Sequence, residues 1–254
     1  MTGLIKMYFY RMSRSVGLVI SLFLCCLCVF LPAIEQKIPI LSMFIENNTI
    51  TVSSAALHVL SQGLPCAVCA IYLSALFSAD HANGFIKNII PSVRRKSAIF
   101  FARTAVTLLF FTVIYLLVCT LSYLFYGVIK GRPVGLDTVY IKMFILVYFM
   151  SVAFLMLINT MTIFTRGMVM SVIFAVSSMT GFTTVPVAVG EAIVFMSDPR
   201  HEAVAYTYLV SYMMKNITSG FSSAKIFAMC AVYVVISVAV SLSVLSLRDE
   251  KPPS

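Results

Sequence analysis

Apolar runs long enough to cross a membrane recur along this chain, and they limit how it can fold. An α-helix needs roughly 20 residues to span the ~30 Å hydrocarbon core of a bilayer. Hydrophobic residues make up 61% of the 254 positions, and a soluble domain of this size has no interior large enough to bury them. The runs lack the period-two alternation of outer-membrane barrel strands, and an open sheet leaves backbone groups unpaired in lipid. The sequence therefore predicts an all-α membrane protein.

Six apolar runs predict six transmembrane helices in a single transmembrane domain over residues 1–254. The predicted spans are Val16–Ile34, Ala55–Ser78, Phe100–Ile129, Val139–Phe164, Met168–Gly190 and Ile226–Leu247. The third run is longer than a span requires, so we expect this helix to tilt or to project from the membrane at one end.

The distribution of Lys and Arg predicts the orientation of these helices. Basic residues are concentrated before the first span, between the second and third spans, and after the sixth. They are Lys6, Arg11, Arg14, Lys87, Arg94, Arg95, Lys96, Arg103, Arg248 and Lys251. Because positive charge is retained on the cytoplasmic side, both termini are predicted to be cytoplasmic. This retention, with attraction to anionic lipid, explains the net charge of +9, so nucleic-acid binding is not expected.

The sequence contains none of the common catalytic motifs, so the chain is not expected to be an enzyme or to hold a cofactor. It has no phosphate-binding G-x-x-x-x-G-K-[ST] loop, no H-E-x-x-H zinc motif and no G-x-S-x-G nucleophile turn. Its three histidines fall in separate predicted segments, which argues against a shared metal site. The seven cysteines lie in predicted spans, where Cys packs as a small hydrophobe, and this includes the Cys66-x-x-Cys69 pair beside Pro65.

A charged segment over residues 78–103 separates the second and third apolar runs. Residues Asp80–Asn88 predict a short interfacial helix, because Asp80 complements a helix N-terminus and apolar residues recur along one face. Pro91 ends this helix, and the basic run Arg94-Arg95-Lys96 leads into the third span. The alternative interpretation is an ordinary solvated loop that its positive charge keeps in the cytosol.

The motif in this segment resembles the first cytoplasmic loop of ABC-2 type permeases. The residues that carry the resemblance are Asp80, Asn83-Gly84, Ile86-Lys87-Asn88, Ser92, Arg95 and Arg103. They match a family pattern of an acidic residue, then Asn-Gly, then Ile-Lys-Asn, and later Ser and two basic residues. Phe85 stands where the family commonly has Thr, and Arg103 stands where it commonly has Lys. The matched segment covers about a tenth of the chain.

The resemblance implies three further structural elements. Residues 1–14 would form an amphipathic elbow helix on the inner membrane face, residues 79–96 a cytoplasmic coupling loop, and residues 185–224 short extracellular re-entrant helices. An elbow helix also fits the sequence, because its first residues separate into an apolar and a charged side. The apolar side carries Leu4, Ile5, Tyr8, Phe9 and Met12, and the charged side largely carries Lys6, Arg11 and Arg14.

The resemblance also implies a function, that of the membrane half of an ATP-driven exporter in a bacterial plasma membrane. Two permease chains, identical or paralogous, would pair and bind two ATP-binding subunits, so that the partner holds ATP and Mg²⁺. The residues expected at the ATPase contact are Asp80, Asn83, Gly84, Phe85 and Lys87. Arg95 and Arg103 are expected to hold the loop against the first helix and the lipid headgroups.

The expected cargo is amphipathic or hydrophobic, such as a peptide, because the chain has 15 Met and 20 Phe and Met-rich surfaces adapt to varied ligands. Polar residues of the fourth and fifth spans could line its path, and they could equally hydrogen-bond between helices. They are Asn159, Thr162, Ser178 and Thr183. Two other interpretations stay open, a carrier that acts alone and a membrane scaffold or immunity protein. The shortage of acidic residues in the spans counts against an ion-coupled carrier.

Overall fold

The structure, a computed structural model, describes residues 2 to 35, 51 to 82, 97 to 165, 167 to 180 and 222 to 247, together with residues 209, 213, 214 and 217. Within these ranges the secondary structure is helical, and no strand occurs. The helices are α1 (Thr2–Ser13), α2 (Val16–Cys28), α3 (Leu31–Glu35), α4 (Val52–Ser61), α5 (Leu64–Ala82), α6 (Ser97–Ser122), α7 (Thr138–Thr165), α8 (Val169–Thr180) and α9 (Ser223–Leu247). A π-helical segment, Tyr123–Ile129, continues α6.

Four helical stretches in the described residues are long and apolar enough to cross a membrane. They are Val16–Ile34, Ser97–Ile129, Thr138–Thr165 and Ser223–Ser246. Helices were predicted at all four places, and their bounds agree with the predictions to within a few residues. The described part of the chain is therefore that of an all-α membrane protein, as the composition predicted.

The second predicted span, Ala55–Ser78, is not one uninterrupted helix. Helices α4 and α5 meet at a bend of 43°. Gly63 causes the break, because its φ of 72° lies in the left-handed region that ends an α-helix. Pro65 then stands in the first turn of α5, where its missing N–H leaves no helical bond unmade.

The fifth predicted span and two predicted loop elements are described only in part or not at all. Helix α8 has 12 residues, and the rest of the predicted span Met168–Gly190 lies outside the described residues. Residues 83 to 96 of the predicted coupling loop and almost all of the predicted re-entrant region, 185–224, also lie outside them.

Helix α7 occupies the centre of the bundle. It packs along α9 and also contacts α4, α5, α6 and α8. Hydroxyl groups join it to its neighbours, because Thr160 lies 3.0 Å from the Ser241 hydroxyl on α9 and Thr162 lies 2.9 Å from the Ser171 hydroxyl on α8. Such bonds between helices replace the water contacts that lipid cannot offer.

The outer faces of α2 and α9 carry exposed apolar side chains, as lipid-facing helices do. Examples are Val19, Phe23, Leu27, Val232, Val235 and Ile236. The inner face of α2 packs on α5, where a Cβ added to Gly17 would lie 2.9 Å from the Tyr72 ring. The close approach of these helices therefore depends on a glycine.

We predict that Gly63→Ala destabilises the protein and that Gly3→Ala does not. An L side chain at a left-handed φ costs about 1 kcal/mol or more. Gly3 lies inside helix α1 with open space around its Cα, so Ala there favours the helix by roughly 0.5–1 kcal/mol. Thermal unfolding of the purified chain in detergent measures both changes. Equal melting temperatures for the two variants would contradict the proposed role of Gly63 in the bend.

Candidate functional site

The carboxylate of Asp80 lies at the C-terminal end of α5 and is fully buried. Arg11 of α1 donates from Nη1 to Oδ1. Arg103 of α6 donates from Nη2 to Oδ2 at 3.2 Å. A buried carboxylate is tolerated only when charged donors replace its water shell, and these two guanidinium groups supply them.

Arg103 is itself buried, with 2% of its surface exposed, and it uses several neighbours besides Asp80. Its Nε donates to the Tyr8 phenol oxygen at 3.2 Å, and its Nη2 donates to the Phe77 carbonyl at 3.3 Å. The guanidinium carbon also lies 5.1 Å from the centre of the Phe77 ring. Phe77 and Asp80 are three residues apart on α5, so both face the same side of the helix.

Helix α1 contributes Tyr8 and Arg11, which are also three residues apart and share one face. The Tyr8 ring packs edge-on against Phe77 with 5.6 Å between ring centres. We call these five residues, Tyr8, Arg11, Phe77, Asp80 and Arg103, the Asp80 cluster. It joins α1, α5 and α6.

The three cations predicted for the charged side of α1 have different surroundings. Lys6 and Arg14 are exposed, and the Arg14 guanidinium lies 4.7 Å from the centre of the Tyr10 ring. Arg11 turns toward the bundle instead, where it meets Asp80. A buried carboxylate is a stronger partner for a guanidinium than solvent at the surface, because the low dielectric strengthens the attraction.

Two of the seven predicted coupling residues lie in the described part of the chain, and the structure brings them together. Asp80 precedes the loop of residues 83 to 96 and Arg103 follows it, so their ion pair connects the two ends of the loop. Asp80 was expected at a contact with another subunit, but its side chain is occupied by Arg11 and Arg103. The other five, Asn83, Gly84, Phe85, Lys87 and Arg95, lie outside the described residues.

Three of the four predicted path residues belong to the described part of the chain, and two of them line the same small cavity. Thr162 is fully buried and lies within hydrogen-bonding distance of Ser74 on α5 and Ser171 on α8. Ser178 is buried on α8, and Thr183 lies outside the described residues. Asn159 and Thr162 line a small cavity of about 10 Å³ between α5, α6 and α7.

Groups that could hold a metal ion are sparse in the described residues. No cluster there of three or more His, Cys, Asp or Glu side chains has suitable geometry. Cys25 of α2 and Cys69 of α5 are buried free cysteines, and the Cys66 sulfur of α5 lies 3.6 Å from the Ser151 carbonyl of α7. The Cys66 contact therefore joins two packed helices.

Comparison of this chain with protein-family models, with curated proteins and with solved structures found no match. Its function is therefore inferred from its own residues.

Sequence reasoning did not find Tyr8 or Phe77 as functional neighbours. Tyr8 was assigned to the apolar side of α1, and Phe77 was counted only as an apolar residue of the second span. The available signal was helical spacing, since Phe77 precedes Asp80 by three residues and Tyr8 precedes Arg11 by three.

We predict that Asp80→Leu alone destabilises the protein more than Asp80→Leu and Arg103→Met together, because it leaves the buried Arg103 without its carboxylate. Arg103→Met alone should also destabilise the protein, since Asp80 then keeps only Arg11. Removing one partner of a buried pair costs roughly 3–5 kcal/mol, whereas apolar replacement of both is often close to neutral. Unfolding in detergent measures this difference. Arg14→Met is the matched control, and its exposed position predicts a change within about 0.5 kcal/mol. Equal losses for Arg103→Met and Arg14→Met would show that the cluster is not a structural contact.

We also predict that alkaline pH weakens the cluster through Tyr8. Burial raises the pKa of the Tyr8 phenol above 10.0; Arg103 lowers it and Asp80 raises it, each by a smaller amount. The folded state then holds a proton that the unfolded chain loses, so this stability is complete below pH 10 and is lost as pH rises through the folded pKa. Tyr8→Phe should reduce the loss of unfolding free energy above pH 10 by at most about 1.4 kcal/mol per pH unit. Melting temperatures recorded in a pH series measure this difference. Tyr10→Phe, at an exposed position, should leave the wild-type pH profile unchanged.

Proposed function

We propose that this chain is the membrane-spanning permease subunit of an ATP-driven exporter of the ABC-2 type. The observation that carries the proposal is the Asp80 cluster. It ties the two ends of the charged loop to each other through Asp80 and Arg103, and it ties both ends to α1 through Tyr8 and Arg11. The same loop carries the sequence motif that resembles the family.

The mechanical consequence of this arrangement supports a coupling role. A loop with loose ends absorbs a push from a partner, because its backbone rotates freely. Here the ends are joined by buried charged groups, so a push on the loop acts on α1, α5 and α6 together. An ordinary solvated loop needs no such anchor, and burying its charges would only add desolvation cost.

In the proposed arrangement the loop is the coupling element between this subunit and a separate ATPase. Asn83, Gly84, Phe85 and Lys87 contact the ATPase, and Arg95 holds the loop near the headgroups. ATP and Mg²⁺ bind to the partner, and a second permease chain, identical or paralogous, completes the transporter. Nucleotide binding then shifts the bundle between inward- and outward-facing states through its different affinity for the two.

The finer architecture belongs to the same proposal. The chain has six spans, with residues 1–14 as the elbow helix on the cytoplasmic face and both termini in the cytosol of a bacterial plasma membrane. The bent pair α4–α5 is the second span, and α8 begins the fifth. Residues 185–224 form extracellular re-entrant helices. The cargo is amphipathic or hydrophobic, such as a peptide, because the described interior offers hydroxyl and amide groups among apolar side chains.

The Asp80 cluster also bears on the alternative of an ion-coupled carrier. Such a carrier needs an ionisable group that can change its charge within the membrane. Asp80 is buried, but guanidinium groups bind both of its oxygens. These contacts give the carboxylate a structural role, because they join α1, α5 and α6.

The proposal is tested by purifying the tagged full-length chain from its own host in mild detergent. We expect a stoichiometric Walker-type ATPase to co-purify and to give vanadate-sensitive ATP hydrolysis. Recovery of a well-folded chain with no ATPase and no hydrolysis would favour the carrier or scaffold alternatives instead.

We predict that Lys87→Glu uncouples the complex, because it reverses a charge in the loop proposed to contact the ATPase. Membrane insertion should be unchanged, while ATPase co-purification or cargo-stimulated hydrolysis is lost. Lys130→Glu is the matched control, since it makes the same charge change at an exposed site that follows α6 and the π-helical segment. Full hydrolysis by the Lys87→Glu complex would contradict the coupling role of the loop.

A further inference from the structure

Two buried side chains face one cavity in the bundle without satisfying their hydrogen-bonding groups. Asn159 of α7 is 3% exposed, and neither its amide nitrogen nor its carbonyl oxygen has a partner among the described residues. Thr107 of α6 is 2% exposed, and its hydroxyl also lacks one. Both side chains line the same cavity, together with Ser74, Phe77 and Thr162 and four aliphatic side chains.

The Thr107 hydroxyl, like that of Thr104 on the same helix, lacks a hydrogen bond that other threonines of the described helices make. Five others bond to the carbonyl four residues earlier, at 2.7–3.0 Å. They are Thr112, Thr120, Thr160, Thr162 and Thr165. A threonine in lipid normally uses this bond because no water is at hand. The helical geometry of α6 would allow Thr107 to make the same bond, but its hydroxyl does not make it. Thr107 lines the cavity instead.

The chemistry of the unsatisfied groups identifies what can occupy the cavity. The Asn159 carboxamide offers both a donor and an acceptor, whichever way its two ends are assigned. A cation cannot accept from the amide nitrogen, and an anion cannot donate to the amide oxygen. A neutral group that both donates and accepts suits this site. The cavity volume of about 10 Å³ is close to the space that one water molecule needs.

We infer that a resident water molecule binds between Asn159 and Thr107. It accepts from or donates to the carboxamide of Asn159 and the hydroxyl of Thr107, and Ser74 and Thr162 complete the polar wall. This inference rests on the packing of the bundle and does not depend on the proposed transport function.

The water site adjoins the Asp80 cluster through Phe77. Phe77 lines the cavity, and its ring and its backbone carbonyl both contact Arg103 of the cluster. Thr107 follows Arg103 by four residues, which is one helical turn or about 6 Å along α6. A displacement of Phe77 within the Asp80 cluster would therefore also change the lining of the water site.

X-ray radiolysis of the full-length chain in detergent tests the inference, because bound water produces hydroxyl radicals that oxidise the side chains around it. Mass spectrometry then gives the oxidation rate of Phe77. Phe154 is the matched control, since it is equally buried but stacks on Phe174 and does not line the cavity. We expect Phe77 to be oxidised several-fold faster than Phe154. Equal, slow rates in the wild-type chain would overturn the inference.

Two variants show whether the polar pair holds the water. Thr107→Val and Asn159→Leu keep the approximate volume and remove the hydrogen-bonding groups. Each should lower the Phe77 rate toward that of Phe154, and the double variant should equalise the two rates. A Phe77 rate that stays at the wild-type value in a folded double variant would overturn the assignment. Phe111 of α6 is also buried, so slow oxidation of both Phe154 and Phe111 in each variant confirms that the variant is folded. If a variant is unfolded, the comparison of Phe77 with Phe154 in the wild-type chain decides.

Discussion

The packing of α1, α5 and α6 depends on one constraint, which is the burial of the Asp80 carboxylate between two guanidinium groups. A charge in such a place is costly unless its partners are fixed, and here every partner comes from a different helix. The three helices cannot separate without exposing a charged side chain or leaving it without its ion-pair partner. Hydrophobic packing has no such directional preference in lipid, because lipid tails are as apolar as the side chains themselves. The cluster thus specifies which helices meet, while apolar residues fill the space around them.

The spans were predictable because the requirement that produces them is local. A helix that crosses lipid must be apolar over its whole length, and such a run can be read without knowing its neighbours. The break in the second span was less visible, since Gly63 and Pro65 interrupt the backbone without lowering the hydropathy of the segment. Helix ends that backbone geometry sets are missed when the prediction considers only the polarity of the side chains.

The cluster could not be predicted in the same way. Arg103 and Asp80 are 23 residues apart, Arg11 and Asp80 are 69 apart, and Tyr8 and Arg103 are 95 apart. Their contacts exist only after the helices have packed. The sequence motif singled out Asp80 and Arg103 but not their mutual pairing. Arg11 was assigned to the charged side of α1, since a cation on an amphipathic helix normally faces water or headgroups. The buried acid on a neighbouring helix reversed that preference.

The hydroxyl bonds of α7 have a consequence for how this helix can move. Thr160 faces α9 and Thr162 faces α5 and α8. Two residues correspond to a rotation of about 200° around the helix axis, so the bonds lie on nearly opposite sides. Turning α7 about its own axis would break both sets at once, whereas tilting it with its neighbours would keep them. Helix α7 is therefore held against rotation about its own axis, and it can tilt only together with α5, α8 and α9.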